Sequence, residues 1–241
     1  MIINKSKKVI ITGVSSGIGK ALAREFVEKG AQVLGVARTV KETRAGNYQT
    51  LSADLTSASG REKVYEYVRR HWGKCDVLIN NAGVVYPTKI SKVNFEKVRD
   101  IMEINFFAPL EISTRLLPNV AKNGCIVNLL SPAIYKSHVE AGLYSASKAA
   151  LKSVSDALRN ELVSSSKQTK ILGYYPGIVR TAIFGEEELT GLKGMLSTSP
   201  ERTAKLIIKQ IENGRNGEYF EPIAMVIRLL AMSRGLIFFW R

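Results

Sequence analysis

The chain has 241 residues, enough for one large domain or two small ones with a sizeable core. Its 45% hydrophobic and 23% charged residues exclude a disordered chain. The net charge of +14 would suit nucleic acid or an anionic membrane. However, no basic run exceeds Lys7-Lys8 or Arg69-Arg70, so most of it reads as solvated surface and no nucleic-acid partner is expected. Cys75, Cys125, His71 and His138 are too few and too scattered for a metal centre, so no metal is expected. The N-terminus runs from Met1 straight into a strand with no long apolar core, which predicts a protein without a signal peptide.

Val9-Ile10-Ile11 is a β-branched apolar run that predicts a buried strand. Thr12-Gly13-Val14-Ser15-Ser16-Gly17-Ile18-Gly19 follows, then a helical pattern through Ala21, Leu22, Phe26 and Val27. Strand, glycine turn and helix form the context of a dinucleotide loop. The glycines allow a tight turn and close approach to a pyrophosphate, whose charge then meets the helix N-terminus. Residues 32–37 predict a second strand, with Arg38 just beyond it and no carboxylate at the strand end. An arginine there pairs with a 2′-phosphate, where an acidic residue would bind ribose hydroxyls, so NADP(H) is favoured over NAD(H).

Residues 48–52 predict a third strand leading to Asp54-Leu55, 62–72 an amphipathic helix, and 77–79 a fourth strand closed by Asn80-Asn81-Ala82-Gly83. Residues 95–117 read as one long helical stretch containing Asn105, kinked or broken at Pro109. Residues 126–130 form the fifth predicted strand, with Ser131 at its carboxyl end. A loop over 132–142 precedes a helix opened by Tyr144 and running to about 165. Residues 171–175 predict a sixth strand, followed by Pro176-Gly177-Ile178 and Thr181. A helix capped by Ser199 and a last strand near 218–221 complete the pattern. The alternation predicts an α/β fold, a doubly wound parallel sheet of about seven strands with helices on both faces.

Of the nine tyrosines, only Tyr144 has a lysine four residues later. On a helix, Lys148 then lies one turn away on the same face. Its charge favours the phenolate and brings the phenol towards working pH, making Tyr144 a candidate general acid or base. Ser131 supplies a hydroxyl to hold the reacting oxygen.

Together, Thr12-Gly-x3-Gly17-Ile-Gly19, Asn80-Asn-Ala-Gly83, Asn105, Ser131, Tyr144-x3-Lys148 and Pro176-Gly177 resemble, in order and spacing, the short-chain dehydrogenase/reductase family over residues 7 to 181. The resemblance implies a three-layer Rossmann-like sheet and hydride transfer between a nicotinamide and a carbonyl or alcohol carbon. It implies Tyr144 as acid/base, Ser131 on the substrate oxygen, and Lys148 lowering the tyrosine pKa and bonding the nicotinamide ribose. Asn105 would hold a relay water. The cofactor would meet Gly13, Ser15, Ser16, Gly17, Ile18 and Gly19 at the turn and Arg38, Asp54 and Leu55 at the adenosine end. Asn81, Ala82 and Gly83 would line its middle, with Tyr144, Lys148, Pro176, Gly177, Ile178 and Thr181 towards the nicotinamide. Pro132 departs from the small residue often found after the family's serine.

The resemblance also implies a substrate lid over 184–199, whose Leu189, Leu192, Met195 and Leu196 either cover an apolar substrate or close over the core. A lipophilic carbonyl or alcohol substrate is therefore expected, in a catalytic domain spanning 1–222. Residues 223–241 form an apolar tail interrupted by Arg228 and Arg234, too charged for a good transmembrane span. The tail suits a membrane interface, the protein's own core or a partner subunit, since many family members form homodimers or homotetramers. A cytoplasmic or membrane-associated oxidoreductase is the reading; a non-catalytic NADP(H)-sensing protein on the same fold is the alternative.

Overall fold

A computed structural model describes residues 1–44, 46–165, 168–181 and 194–238, with side chains described up to residue 233. Seven strands form one sheet: β1 (Lys8–Thr12), β2 (Gln32–Ala37), β3 (Tyr48–Ser52), β4 (Cys75–Asn80), β5 (Val120–Leu129), β6 (Lys170–Tyr175) and β7 (Gly217–Phe220). Every pairing is parallel, in the order β3-β2-β1-β4-β5-β6-β7. The chain therefore winds outward from β1 in one direction and then, from β4, in the other. Where the order reverses, the carboxyl ends of β1 and β4 part and leave a crevice for ligands.

Alternating side chains divide the core into two layers. Val9, Ile11, Val33, Val77 and Ile79 face α1 (Gly17–Glu28) and α6 (Pro200–Glu212), which supply Leu22, Phe26, Ile207 and Ile211. Ile10, Leu34, Leu78 and Ile126 face the opposite layer of α2 (Ala58–Tyr67), α4 (Ala108–Leu116) and α5 (Gly142–Ser164). Strands apolar on both faces belong to a sheet covered on both sides.

The stretch over 95–117 is helical without a gap from Phe95 to Leu116, but its pitch changes. It consists of α3 (Phe95–Met102), a π-helical turn Glu103–Phe107 and α4, in which Pro109 occupies the first turn. Pro109 therefore does not end the helix; it sits just after the π turn, where the regular i→i−4 ladder is already interrupted. The π turn carries Asn105, fully buried. Helix α5 starts at Gly142, two residues before Tyr144, and β5 starts six residues before the predicted 126. Residues 184–193 of the lid expected over 184–199 lie outside the described residues. Thr198 is held by backbone hydrogen bonds with Ile178 and Arg180.

The C-terminal helix α7 (Pro222–Phe238) follows β7 directly. Its Ala224 is buried in a third apolar cluster with Leu130, Leu151, Tyr175 and Phe220, so one face of the expected tail packs on the protein itself.

Candidate active site

A cleft of about 1020 Å³ runs along the carboxyl edge of the sheet. At one end is the glycine turn. Gly13 (φ +75°) and Gly17 (φ +55°) adopt left-handed conformations that side chains disfavour. A Cβ on Gly13 would stand 2.8 Å from Ala82 Cα, so the turn and the end of β4 meet backbone to backbone. Thr12 locks that contact: its Oγ accepts from the N–H groups of Asn81 (3.1 Å) and Ala82 (3.0 Å). Asn81 Nδ2 in return donates to the carbonyls of Thr12 (2.8 Å) and Gly13 (3.1 Å). Ser16 caps α1 without a side-chain hydrogen bond, which leaves first-turn N–H groups facing the cleft for an anion.

Gly13, Ser15, Ser16, Gly17, Ile18, Arg38, Asp54, Leu55, Asn81, Ala82 and Gly83 all line the cleft. So do Ser131, Tyr144, Lys148, Pro176, Gly177, Ile178 and Thr181. Two expected residues do not. Gly19 lies behind the turn, where a Cβ would fall 2.1 Å from the Gly13 carbonyl oxygen; its absence of a side chain permits the turn to close. Asn105 stands behind Gly83, with its Oδ1 accepting from Val84 N–H at 2.9 Å. Its Nδ2 donates to the Val84 carbonyl (2.9 Å) and Ser147 Oγ (3.0 Å). The asparagine side chain therefore fixes the cleft wall to α5 from within.

Ser131 follows β5 and caps a short 3-10 turn, Pro132–Ile134, by accepting from Ala133 N–H at 3.2 Å. Pro132 has the fixed φ that suits the first residue after a cap, which gives the serine–proline pair a local reason. The Ser131 oxygen is engaged by the backbone, so its proton is available for donation, and it hydrogen-bonds Tyr144. Burial pushes the Tyr144 phenol above its ordinary value, and the Ser131 hydrogen bond draws it partly back. Lys148 stands one helical turn beyond Tyr144, buried beside it. Its Nζ lies 5.9 Å from the Tyr144 ring centre and donates to the Leu129 carbonyl at 2.8 Å. Burial lowers the Lys148 ammonium to about 8, so the lysine itself titrates near neutrality.

A buried chain of polar groups holds these elements in register. Asn80 Nδ2 donates to Ser113 Oγ (2.9 Å) and to Asn128 Oδ1 (2.7 Å). Asn128 Nδ2 donates to Ser155 Oγ (2.7 Å), which donates to the Leu151 carbonyl (2.6 Å). Sequence reasoning assigned Asn128 only to a strand; the signal was an asparagine inside an otherwise apolar run.

Just beyond β2, Arg38 is exposed and makes no ion pair among the described residues, while its carbonyl accepts from Ser52 Oγ at 2.9 Å. The cleft is also lined by Val85, Tyr86, Pro87, Pro132, Ala133 and Ile227, together with the polar Asp100, Lys136, His138 and Glu140. Tyr86, Pro87 and Ile227 were not singled out from the sequence.

The model of the short chain dehydrogenase family matches residues 7–190. The chain is 36% identical over 243 residues to "11-beta-hydroxysteroid dehydrogenase-like 3" of Arabidopsis thaliana, covering 94% of this chain and 76% of the relative. It is 33% identical over 196 residues to an "NADPH-dependent 3-dehydrocapnine reductase" of Ornithobacterium rhinotracheale, covering 76% and 69%. The crystal structure of a short-chain dehydrogenase from Streptomyces avermitilis superposes with a TM-score of 0.82 at 25% identity, covering 97% of this chain and 95% of that one. The parallel sheet, the glycine turn at its switch point and these matches make the chain a member of the short-chain dehydrogenase/reductase family of oxidoreductases.

Proposed function

We propose that the protein is an NADP(H)-dependent oxidoreductase acting on the carbonyl or alcohol carbon of a lipophilic substrate, with Tyr144 as general acid/base. One observation carries the reading: Ser131, Tyr144 and Lys148 line the same cleft as the glycine turn and Arg38. The close backbone approach at Gly13 and the uncapped N-terminus of α1 fit a dinucleotide pyrophosphate. Arg38 is the cation for a 2′-phosphate, and the NADPH-dependent reductase among the relatives supports that choice.

Bound nicotinamide supplies the hydride in reduction and accepts it in oxidation. Ser131 donates a hydrogen bond to the substrate oxygen and fixes its position. Tyr144 gives its phenolic proton to that oxygen in reduction and takes it back in oxidation. Its raised pKa keeps the phenol protonated at neutral pH, which suits the reductive direction. Lys148, still able to carry charge near pH 8, stabilises the tyrosinate left behind and bonds the nicotinamide ribose. Asn105 holds the wall beside Lys148, where the family resemblance implies a relay water. Tyr86, Pro87 and Ile227 in the cleft lining and the steroid in one relative's name support a lipophilic substrate. Exposed Phe95 and Phe107 support assembly into a homodimer or homotetramer, which sedimentation would test.

The test is NADPH and NADH oxidation by purified protein across steroid, long-chain and polar carbonyls. NADPH-dependent turnover of lipophilic carbonyls is expected. Turnover confined to sugars or amino-acid carbonyls would remove the substrate assignment, and NADH preference would remove the cofactor assignment.

A further inference from the structure

Helix α7 is apolar where a surface helix should be polar. Its inward face is fixed: Ala224 is fully buried, Ile227 lines the cleft, and Arg228 stacks its guanidinium over Phe220 (4.7 Å) and Tyr135 (5.4 Å). With that face anchored, Val226, Leu229, Leu230 and Met232 point to solvent, at 49%, 58%, 59% and 54% exposure. At 100° per residue they share one side of the helix, and Ser233 is the polar group among them. A helix with a second apolar face beside its packed one calls for protein or lipid against that face. Packing of Ala224 and the stacked Arg228 has already used one side, which leaves the other facing outward.

We infer that this outward face of α7 docks the protein on an anionic lipid surface, lying in the plane of the interface. No helix among the described residues is long and apolar enough to cross a membrane, so the contact is peripheral. The net charge of +14 complements anionic headgroups, and Lys136, exposed on the rim of the cleft, adds a cation to the side that α7 walls. A second copy of the chain is the poorer occupant. Among the described residues, one helix face of four exposed apolar side chains falls short of the ~800 Å² per partner that a stable interface needs. Because Ile227 lines the cleft from this same helix, docking brings the mouth of the site to the bilayer, a consequence that rests on the lipophilic-substrate reading above. The docking itself does not rest on it.

The experiment is co-sedimentation of the full chain with phosphatidylcholine vesicles with and without 30% (about one lipid in three) phosphatidylglycerol, beside Leu229→Glu/Leu230→Glu and the milder Val226→Ser/Met232→Ser. NADPH affinity and thermal midpoint report that each variant is folded. Binding to anionic vesicles that falls about tenfold or more in the folded variants is expected, weaker at high salt and on neutral vesicles. Absence of wild-type binding, or binding that a folded variant retains, overturns the inference. Variants that instead convert a dimer to a monomer, with no vesicle binding by the wild type, assign the face to a second copy.

Discussion

Asn128 Nδ2 donates to Ser155 Oγ across 2.7 Å in the protein interior, joining the strand just before Ser131 to the helix that carries Tyr144 and Lys148. The same asparagine accepts from Asn80 Nδ2 at 2.7 Å, so β4, β5 and α5 share one hydrogen-bonded chain. The placement of Ser131 relative to Tyr144 is thus braced about three turns of α5 beyond the tyrosine. Replacing Asn128 by alanine leaves Asn80 and Ser155 with buried unmatched groups. Each such group costs about 1–3 kcal/mol. Denaturant unfolding should show a loss in that range, and kcat should fall with little change in NADPH affinity.

Gly19→Ala tests a glycine whose role is spatial. Its Cβ would stand 2.1 Å from the Gly13 carbonyl oxygen and 2.4 Å from Asn81 Nδ2, both fixed by the Thr12–Asn81 lock. Overpacking of this kind costs about 1–3 kcal/mol. The turn must open, so titration with NADPH should show weakened binding alongside a lower thermal midpoint.

Arg38→Ala removes the cation at the end of β2. A hydrogen bond to a charged group is worth about 1.5–3 kcal/mol, which corresponds to about tenfold to hundredfold in affinity. The NADPH dissociation constant should rise by that factor while NADH binding stays nearly constant. Equal losses for both cofactors would place the 2′-phosphate elsewhere.

Lys148 makes stability depend on pH in a direction opposite to that of a salt-bridged lysine. Its folded pKa is lowered from 10.5 to about 8 by burial, so the unfolded chain holds the proton more tightly between those values. Below pH 8 the buried ammonium costs the folded state its full penalty, about 3 kcal/mol from the shift. As pH rises from 8 towards 10.5 that penalty disappears. Urea unfolding of wild type and Lys148→Met should therefore show a stability difference that moves in favour of wild type over this range and is flat below it.

Much of this was legible from residue order because a parallel α/β fold repeats one unit, and each unit leaves its own periodicity. Val9-Ile10-Ile11 reads as a buried strand since both of its faces are covered, and the glycines at 13 and 17 announce a turn that other residues strain to make. The spacing of Tyr144 and Lys148 is a weak signal alone and gains weight only beside the glycine turn, Asn105 and Ser131. What the spacing does not disclose is electrostatic balance: burial, a tertiary property, raises the phenol and lowers the ammonium. The π turn at Glu103–Phe107 was equally hidden, because one extra residue per turn leaves the apolar pattern of 95–117 looking like a single helix. Ile227 was assigned to a tail because nothing in the sequence shows which side of α7 turns back onto the cleft.

The most direct test of the account is the NADPH dissociation constant and the single-turnover rate, measured side by side for wild type and Tyr144→Phe with the best carbonyl from the panel. The phenyl ring keeps the packing and removes only the proton that the substrate oxygen receives. The account predicts NADPH affinity unchanged within about twofold and a rate lower by about 10² to 10⁴, the contribution of a positioned acid/base. A variant that turns over as fast as wild type would contradict Tyr144 as the acid/base. Tight NADPH binding with no wild-type turnover of any carbonyl would contradict the enzyme reading itself and leave a cofactor-sensing protein on the same fold.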